Sequence, residues 1–133
     1  MEIISKYQVR TVTFADTVGC STPLEYGDIF NYFVKKYSNI IFSAHCHNDL
    51  GLATANTLAA ILNGAKQIET TFLGIGERAA NAPIEEIITI LTKKQIKSTE
   101  FTLPDVYKTS INISKILDFQ ISENKPIIGC LLY

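Results

Sequence analysis

The chain has 133 residues, of which 47% are hydrophobic and 19% charged, and a formal net charge of −1. This composition is typical of one soluble globular domain, and the near-neutral charge without a long basic run argues against nucleic acid or an anionic membrane as a partner. We therefore expect the partners of the chain to be small molecules or other subunits. No apolar run has membrane-spanning length and no signal-peptide layout is present, so we expect a cytoplasmic protein.

The first half of the chain predicts two strands, each followed by a helix. Residues 8–16 (QVRTVTFAD) show the β-branched alternation of a strand, and residues 22–25 (TPLE) combine a capping-box spacing with proline at the first helical position. Residues 39–45 (NIIFSAH) form the continuous apolar run of a strand in a parallel sheet. Residues 50–62 predict a second helix that ends at the Asn-Gly of residues 63–64.

The second half continues the alternation. Residues 66–72 predict a third strand, residues 73–83 a glycine-rich loop, and Pro83 the start of a third helix, while residues 103–119 predict a fourth and weaker helix. Strands alternating with helices indicate a parallel α/β fold. An eight-stranded barrel needs about 250 residues, so this chain accounts for half of one at most.

The two histidines of the chain are the strongest candidate for chemistry. His45 and His47 stand two residues apart at the carboxyl end of a predicted strand, so their imidazoles share one face while Cys46 points to the other. Such a pair can chelate a divalent ion, but it also fits two polar side chains that leave a strand toward solvent.

The chain has three cysteines, Cys20, Cys46 and Cys130. Their number is odd and their spacings are unrelated, which predicts free thiols and not disulfide bonds.

Other polar residues near the strand ends have two interpretations each. Asp49 can accept a hydrogen bond from an imidazole or cap the following helix, and Asn81 can bind a metal or act as an N-cap before Pro83. Thr17 can bind a substrate carboxylate or satisfy a turn. Glu77 and Arg78 follow two glycines, Gly74 and Gly76, that let the backbone turn or approach a ligand closely, but the two charged residues can simply form a surface ion pair worth about 0 to 1 kcal/mol.

Three stretches in order carry a resemblance to a known family: ADTVGCSTP, AHCHNDLGLATANTLAAILNGAKQIE and GIGERAANAPIEEI. Together they resemble the C-terminal half of the catalytic barrel of the 2-isopropylmalate synthase and homocitrate synthase family, the pyruvate carboxyltransferase-like metal-dependent TIM barrels. The resemblance runs from about residue 8 to residue 129, and the long match from His45 to Glu69 favours 2-isopropylmalate synthase.

The resemblance implies a partial (β/α)8 barrel of about three parallel strands with flanking helices. It divides the chain into residues 1–98, the C-terminal half of the barrel, and residues 99–133, the start of a truncated helical linker or subdomain. It implies His45, His47 and Asn81 as ligands of a divalent metal (Mn²⁺, Zn²⁺ or Mg²⁺) and Thr17 as the residue that binds the 2-oxo acid, with Asp49 and Glu77 as supporting candidates. It assigns no catalytic residue to this chain.

The family reaction is the condensation of acetyl-CoA with a 2-oxo acid. For 2-isopropylmalate synthase the acid is 2-oxoisovalerate, the product is 2-isopropylmalate in leucine biosynthesis, and the parent enzyme is expected to be a homodimer. Homocitrate and citramalate synthases remain alternatives, because the residues that choose the 2-oxo acid are expected mainly in the other half of the barrel.

The chain also departs from the family pattern. Ala80 stands where the family usually has glycine, the family's first strand with its Arg-Asp pair and strands two to five have no counterpart, and the segment after NKPIIG lacks the usual histidine. We therefore expect a fragment that is inactive alone, and whose open sheet edges make it unstable or prone to associate. A non-catalytic remnant that only associates with other chains is the remaining alternative.

Overall fold

The structure is a computed structural model and describes residue 4 and residues 6–129. Its centre is a parallel sheet in the order β1-β2-β3, made of β1 (Thr11–Asp16), β2 (Ile41–Cys46) and β3 (Gln67–Glu69). The described part also contains four α-helices, α1 (Pro23–Lys36), α2 (Ala53–Leu62), α3 (Ile84–Lys93) and α4 (Leu103–Ile116), and a short 3₁₀ helix at Phe72–Gly74. The predicted fold class is confirmed: three parallel strands with flanking helices form part of a barrel.

Two strands are shorter than the sequence predicts. β1 begins at Thr11 and not at residue 8, because Gln8 has a φ of 52° that interrupts the extended chain. β3 ends at Glu69 and not at residue 72. Beyond it Thr71 pairs with the end of the glycine-rich loop: it donates to the carbonyl of Ala82 and accepts from the amide of Ile84.

The start of α1 follows from local side-chain chemistry, as the sequence predicts. Thr22 accepts a hydrogen bond from the amide of Glu25, whose carboxylate accepts in return from the Thr22 amide at 2.9 Å. This capping box satisfies two amides that the first helical turn leaves without partners. Proline at position 23 adds a preset φ and needs no amide partner there.

The helix-facing side of the sheet forms the core. Phe14 of β1 stacks on Phe42 of β2 with ring centroids 5.3 Å apart, and Phe30 of α1 meets Phe14 edge-on at 5.4 Å. Phe30 is fully buried, and burying one such side chain contributes about 1.5–3 kcal/mol. Cys46 is also buried on this side, whereas Cys20 is exposed, and both are free thiols as predicted; Cys130 lies outside the described residues.

The opposite side of the sheet carries polar residues. Thr13 and Ala15 of β1 are exposed there, and Ser43, His45 and Glu69 continue the same face across β2 and β3. This is the face that would line the interior of a closed barrel. Within the described part of the chain, no helix is long and apolar enough to cross a membrane.

Residues beyond 98 pack back on the barrel half. α4 lies against α3, and further along the chain Lys125 places its ammonium 3.8 Å from the buried carboxylate of Glu85 on α3. The division into residues 1–98 and 99–133 stays a prediction.

Candidate metal centre

The two histidines meet at the carboxyl end of β2. Their Nε2 atoms are 3.3 Å apart, with ring centroids 5.0 Å apart and ring planes at 75°. Cys46 between them is fully buried on the helix side, as strand alternation predicts. Two zinc–nitrogen bonds of about 2.0–2.1 Å at a tetrahedral angle would place two nitrogens about 3.3 Å apart. The spacing of the pair therefore fits chelation of one ion through both Nε2 atoms.

Asn81 is brought beside this pair by the glycine-rich loop. After the loop the chain runs antiparallel to the end of β2, so that His47 and Asn81 form a β-bridge. The bridge is extended on both sides, since Asn48 donates to the carbonyl of Ala80 at 2.9 Å and Ala82 donates to that of Cys46 at 3.2 Å. The loop thus fixes the backbone of Asn81 against that of a histidine 34 positions earlier in the chain, which sequence spacing alone does not show.

The side chain of Asn81 retains an unused acceptor. The residue is 7% exposed, its Nδ2 donates to the carbonyl of Ile75 at 3.3 Å, and its buried Oδ1 has no hydrogen-bond partner. A buried carbonyl oxygen without a partner costs about 1–3 kcal/mol, and a hard divalent cation is a suitable partner for it. Together with the two imidazoles, this oxygen gives a donor set that fits a divalent metal.

The donor set is neutral and small. Within residue 4 and residues 6–129, no three His, Cys, Asp or Glu side chains group closely enough to hold a metal ion. The candidate ligands are therefore two imidazoles and one amide oxygen.

Glu69 is a carboxylate beside the site that sequence reasoning did not single out. Its Oε2 lies 3.5 Å from Nδ1 of His45, and its Oε1 accepts hydrogen bonds from the hydroxyls of Thr13 at 2.6 Å and Ser43 at 3.1 Å. The signal that could have found it is its place at the carboxyl end of the third strand, where a parallel register sets it opposite His45.

Thr17 lies in the turn that follows β1, at the same end of the sheet. The turn is organised by the buried carboxylate of Asp16, which accepts from the amides of Cys20 at 3.1 Å and Ser21 at 3.2 Å. Gly19 has a φ of 59°, and a Cβ there would lie 2.8 Å from the carbonyl oxygen of His47. The side chain of Thr17 is exposed, and the turn that carries it lies beside His47 at the end of β2.

Asp49 forms an ion pair with Arg78. The guanidinium binds both carboxylate oxygens, at 2.9 and 3.0 Å, and this contact lowers the pKa of Asp49. Asp49 does not cap α2, whose N-cap residue is Leu52 and makes no side-chain capping bond. Asn48 serves that end instead, since its Oδ1 accepts from the amide of Ala53 at 3.1 Å.

Glu77 faces solvent. Its side chain is 83% exposed and lies 3.6 Å from Nη1 of Arg78, the geometry of a surface ion pair. Asn81 does not cap α3, because the residue before that helix is Pro83 and no side chain caps it. The structure therefore gathers His45, His47 and Asn81 at one place, with Thr17 and Asp49 on adjoining loops and Glu77 at the periphery.

The chain matches known proteins over most of its length. The HMGL-like family matches residues 1–120. A 2-isopropylmalate synthase from Acetivibrio thermocellus is 45% identical over 124 residues, which are 89% of this chain and 24% of the relative. One from Lysinibacillus sphaericus is 48% identical over 125 residues, 90% of this chain and 24% of the relative. The chain thus spans about a quarter of the length of these curated relatives.

The fold has solved counterparts. Hydroxymethylglutaryl-CoA lyase from Pseudomonas aeruginosa superposes with a TM-score of 0.78 at 19% identity, covering 97% of this chain and 44% of the lyase. At this identity the likeness establishes the partial barrel and no more.

Proposed function

The chain belongs to the HMGL-like family, and from that premise we propose that it carries the two-histidine part of the metal site of a 2-isopropylmalate synthase-type acyltransferase. The proposed reaction condenses acetyl-CoA with 2-oxoisovalerate to give 2-isopropylmalate, a step of leucine biosynthesis. The support for this choice of reaction is the identity of 45% and 48% to relatives named 2-isopropylmalate synthase.

The observation that carries the metal site is the convergence of two imidazoles beside an unpaired oxygen. His45 and His47 present their Nε2 atoms 3.3 Å apart, and the buried Oδ1 of Asn81 has no partner. We propose that these three atoms hold a divalent ion, Mn²⁺, Zn²⁺ or Mg²⁺. Bound by neutral ligands, such an ion is a Lewis acid that polarises the carbonyl of a 2-oxo acid.

The other residues of the chain are proposed to bind and orient the substrate. Thr17 is exposed on the loop beside the histidines, and its hydroxyl is suited to donate to the carboxylate of the 2-oxo acid. Arg78 and Asp49 hold the surrounding loops together. No residue of this chain is assigned a proton transfer.

A complete site needs more than these residues supply. Three protein ligands are the usual number at a catalytic zinc site, but Mg²⁺ and Mn²⁺ prefer carboxylate and other oxygen ligands, and the donors here include one oxygen and no anion. We propose that a further ligand and the acetyl-CoA site belong to parts of the parent enzyme outside these 133 residues, and that the parent enzyme is a cytoplasmic homodimer. The chain alone is then expected to bind metal but not to catalyse the condensation.

Titration of the purified chain with Mn²⁺, followed by electron paramagnetic resonance of the free ion, tests the metal site. Both histidines of the chain are in the proposed site, so any imidazole-dependent binding reports on it. We expect one bound ion, with binding abolished in His45→Ala and in His47→Ala and kept in Cys20→Ser, which removes an exposed thiol that is not among the proposed ligands. Binding that is absent, or that survives both histidine substitutions, would overturn the proposal.

An activity assay tests the expectation that the chain alone does not catalyse the condensation. The chain with Mn²⁺, acetyl-CoA and 2-oxoisovalerate is expected to release no coenzyme A above background. Steady turnover would show that these residues contain a whole catalytic site, contrary to the proposal.

A further inference from the structure

The inner face of the sheet holds a carboxylate that the proposed ligand set does not use. Glu69 ends β3, and the parallel register sets it opposite His45 on β2. The Oε2 atom of Glu69 lies 3.5 Å from Nδ1 of His45, on the side of the imidazole away from His47; this buried nitrogen makes no hydrogen bond, so the carboxylate acts on it through its charge. Glu69 therefore lies behind the first histidine and not among the ligands.

Hydroxyl groups from both other strands hold this carboxylate in place. Oε1 accepts from Thr13 of β1 at 2.6 Å and from Ser43 of β2 at 3.1 Å, while Oε2 is left for His45. Ser43 is fully buried, so its hydroxyl has no competing water. The carboxylate thus joins all three strands and cannot turn away from the imidazole without losing two hydrogen bonds.

We propose that Glu69 is a positioning residue that keeps the proton of His45 on Nδ1 and so leaves Nε2 free to bind a metal. A carboxylate can only accept a hydrogen bond, so its position favours the tautomer with Nδ1–H. Metal-binding histidines commonly donate their second ring nitrogen to such a carboxylate, which fixes the ring and strengthens its donor atom. The inference rests on the proposed metal site for its functional meaning.

The proposal also assigns the proton of the second histidine in the metal-free chain. The Nε2 atoms of His45 and His47 are 3.3 Å apart, so a neutral pair is stable when one donates and the other accepts. With Glu69 holding His45 as Nδ1–H, Nε2 of His45 is the acceptor and His47 carries its proton on Nε2. The buried Nδ1 atoms of both histidines make no hydrogen bond, and the difference between them is the Glu69 carboxylate 3.5 Å from that of His45.

Long-range ¹H–¹⁵N correlation spectra of the metal-free chain read this assignment directly, because only two histidines contribute. We expect the Nδ1–H pattern for His45 and the Nε2–H pattern for His47. In Glu69→Ala the pattern of His45 should shift toward Nε2–H or an average of the two, while Glu69→Gln, which keeps an acceptor oxygen, should retain much of the wild-type pattern.

Metal affinity gives the second measurement. Loss of such a supporting partner typically weakens binding about 10–100-fold, so we expect Mn²⁺ affinity to fall by that factor in Glu69→Ala and by less in Glu69→Gln. The matched control is Glu123→Ala, which removes an exposed carboxylate far along the chain and should change neither measurement. Circular dichroism of each variant verifies that the fold is kept.

The outcomes separate this inference from the proposed function. A His45 pattern in Glu69→Ala that equals wild type would overturn the inference, as would unchanged Mn²⁺ affinity in that variant while His45→Ala abolishes binding. Wild-type protein that binds no Mn²⁺ would refute the proposed function, and the spectra would still decide whether Glu69 sets the tautomer.

Discussion

The guanidinium of Arg78 binds the carboxylate of Asp49 through two parallel hydrogen bonds, of 2.9 Å from Nε and 3.0 Å from Nη2. Nη2 also donates to the backbone carbonyl of Thr17 at 2.7 Å. One side chain of the glycine-rich loop thus joins the loop after β1 to the loop after β2. The fork of donors needed for this is specific to arginine, because lysine offers a single point of charge.

Replacement of Arg78 by lysine should loosen these loops without unfolding the chain. The ion pair is exposed to solvent, so its share of the free energy of unfolding is small. The amide of Asn48 donates to the carbonyl of Ala80, so this bond joins the loop after β2 to the glycine-rich loop that carries Arg78 and reports on the contact between them. We expect Arg78→Lys to accelerate hydrogen exchange at Asn48 several-fold while the urea midpoint moves little.

Glu77→Gln is the matched control for this experiment, because Glu77 contacts only the outer side of the same guanidinium and is 83% exposed. It should leave the exchange of Asn48 as in wild type. Equal exchange in wild type and Arg78→Lys would show that the bonds to Asp49 and Thr17 do not hold the loops.

Gly76 should be intolerant of any side chain because of Asn81. A Cβ at position 76 would lie 2.0 Å from Nδ2 of Asn81, so Gly76→Ala must push the amide away from its place. We expect Mn²⁺ affinity to fall by at least about tenfold, as for loss of a supporting contact at a metal site. Gly51→Ala is the control: its Cβ meets nothing within 4 Å, so it adds only the strain of a positive φ and should leave metal affinity unchanged.

The sequence predicts the helices, the strands and the candidate ligands, but not the contacts that hold them in place. The strand period placed His45 and His47 on one face, and the capping box of Thr22 and Glu25 marked the start of α1, because both patterns are local. The contact between Glu69 and His45 depends on strand register, and that between Arg78 and Asp49 on how two loops fold together. Neither is encoded in a short spacing, so sequence reasoning gave Arg78 only a surface ion pair and passed over Glu69.

The early end of β3 is a second feature that depends on contacts between distant residues and that a local sequence pattern does not predict. Residues 70–72 continue the β-branched and apolar character of a strand, but Thr71 bonds to the glycine-rich loop through Ala82 and Ile84. Tertiary contacts therefore overrode the local preference.

Tyr26 should stabilise the sheet where β1 and β2 end, because its hydroxyl joins the backbones of Phe14 and His45. The hydroxyl of Tyr26, almost fully buried, donates to the carbonyl of Phe14 at 2.6 Å and accepts from the amide of His45 at 3.2 Å. Tyr26→Phe leaves both backbone groups without this partner, and an unpaired buried polar group costs about 1–3 kcal/mol. We expect a loss of that size in urea unfolding. Tyr32→Phe, whose exposed hydroxyl only accepts from Lys36, should lose almost nothing; equal losses in both variants would refute the bridging role.

Glu85 should make the stability of the chain depend on pH in a particular direction. Its side chain is fully buried, Oε2 accepts from the amide of Leu73 at 3.0 Å, and Oε1 is 3.8 Å from the ammonium of Lys125. Burial raises the pKa of Glu85 above its ordinary value of 4.5. The folded chain then binds this proton more tightly than the unfolded chain does, so this residue's contribution to stability falls as pH rises from about 4.5 to the raised pKa, and is level above it.

Glu85→Gln removes this titration while keeping an oxygen for the Leu73 amide. The difference in free energy of unfolding, variant minus wild type, should therefore increase with pH through that window and then stay constant. Urea unfolding at closely spaced pH values measures it, with Glu100→Gln, an exposed carboxylate on the connector before α4, as the control. For Glu85→Gln, a difference that is independent of pH would mean that attraction to Lys125 balances the burial of the carboxylate, and one that decreases as pH rises would mean that it outweighs burial; either would refute the prediction.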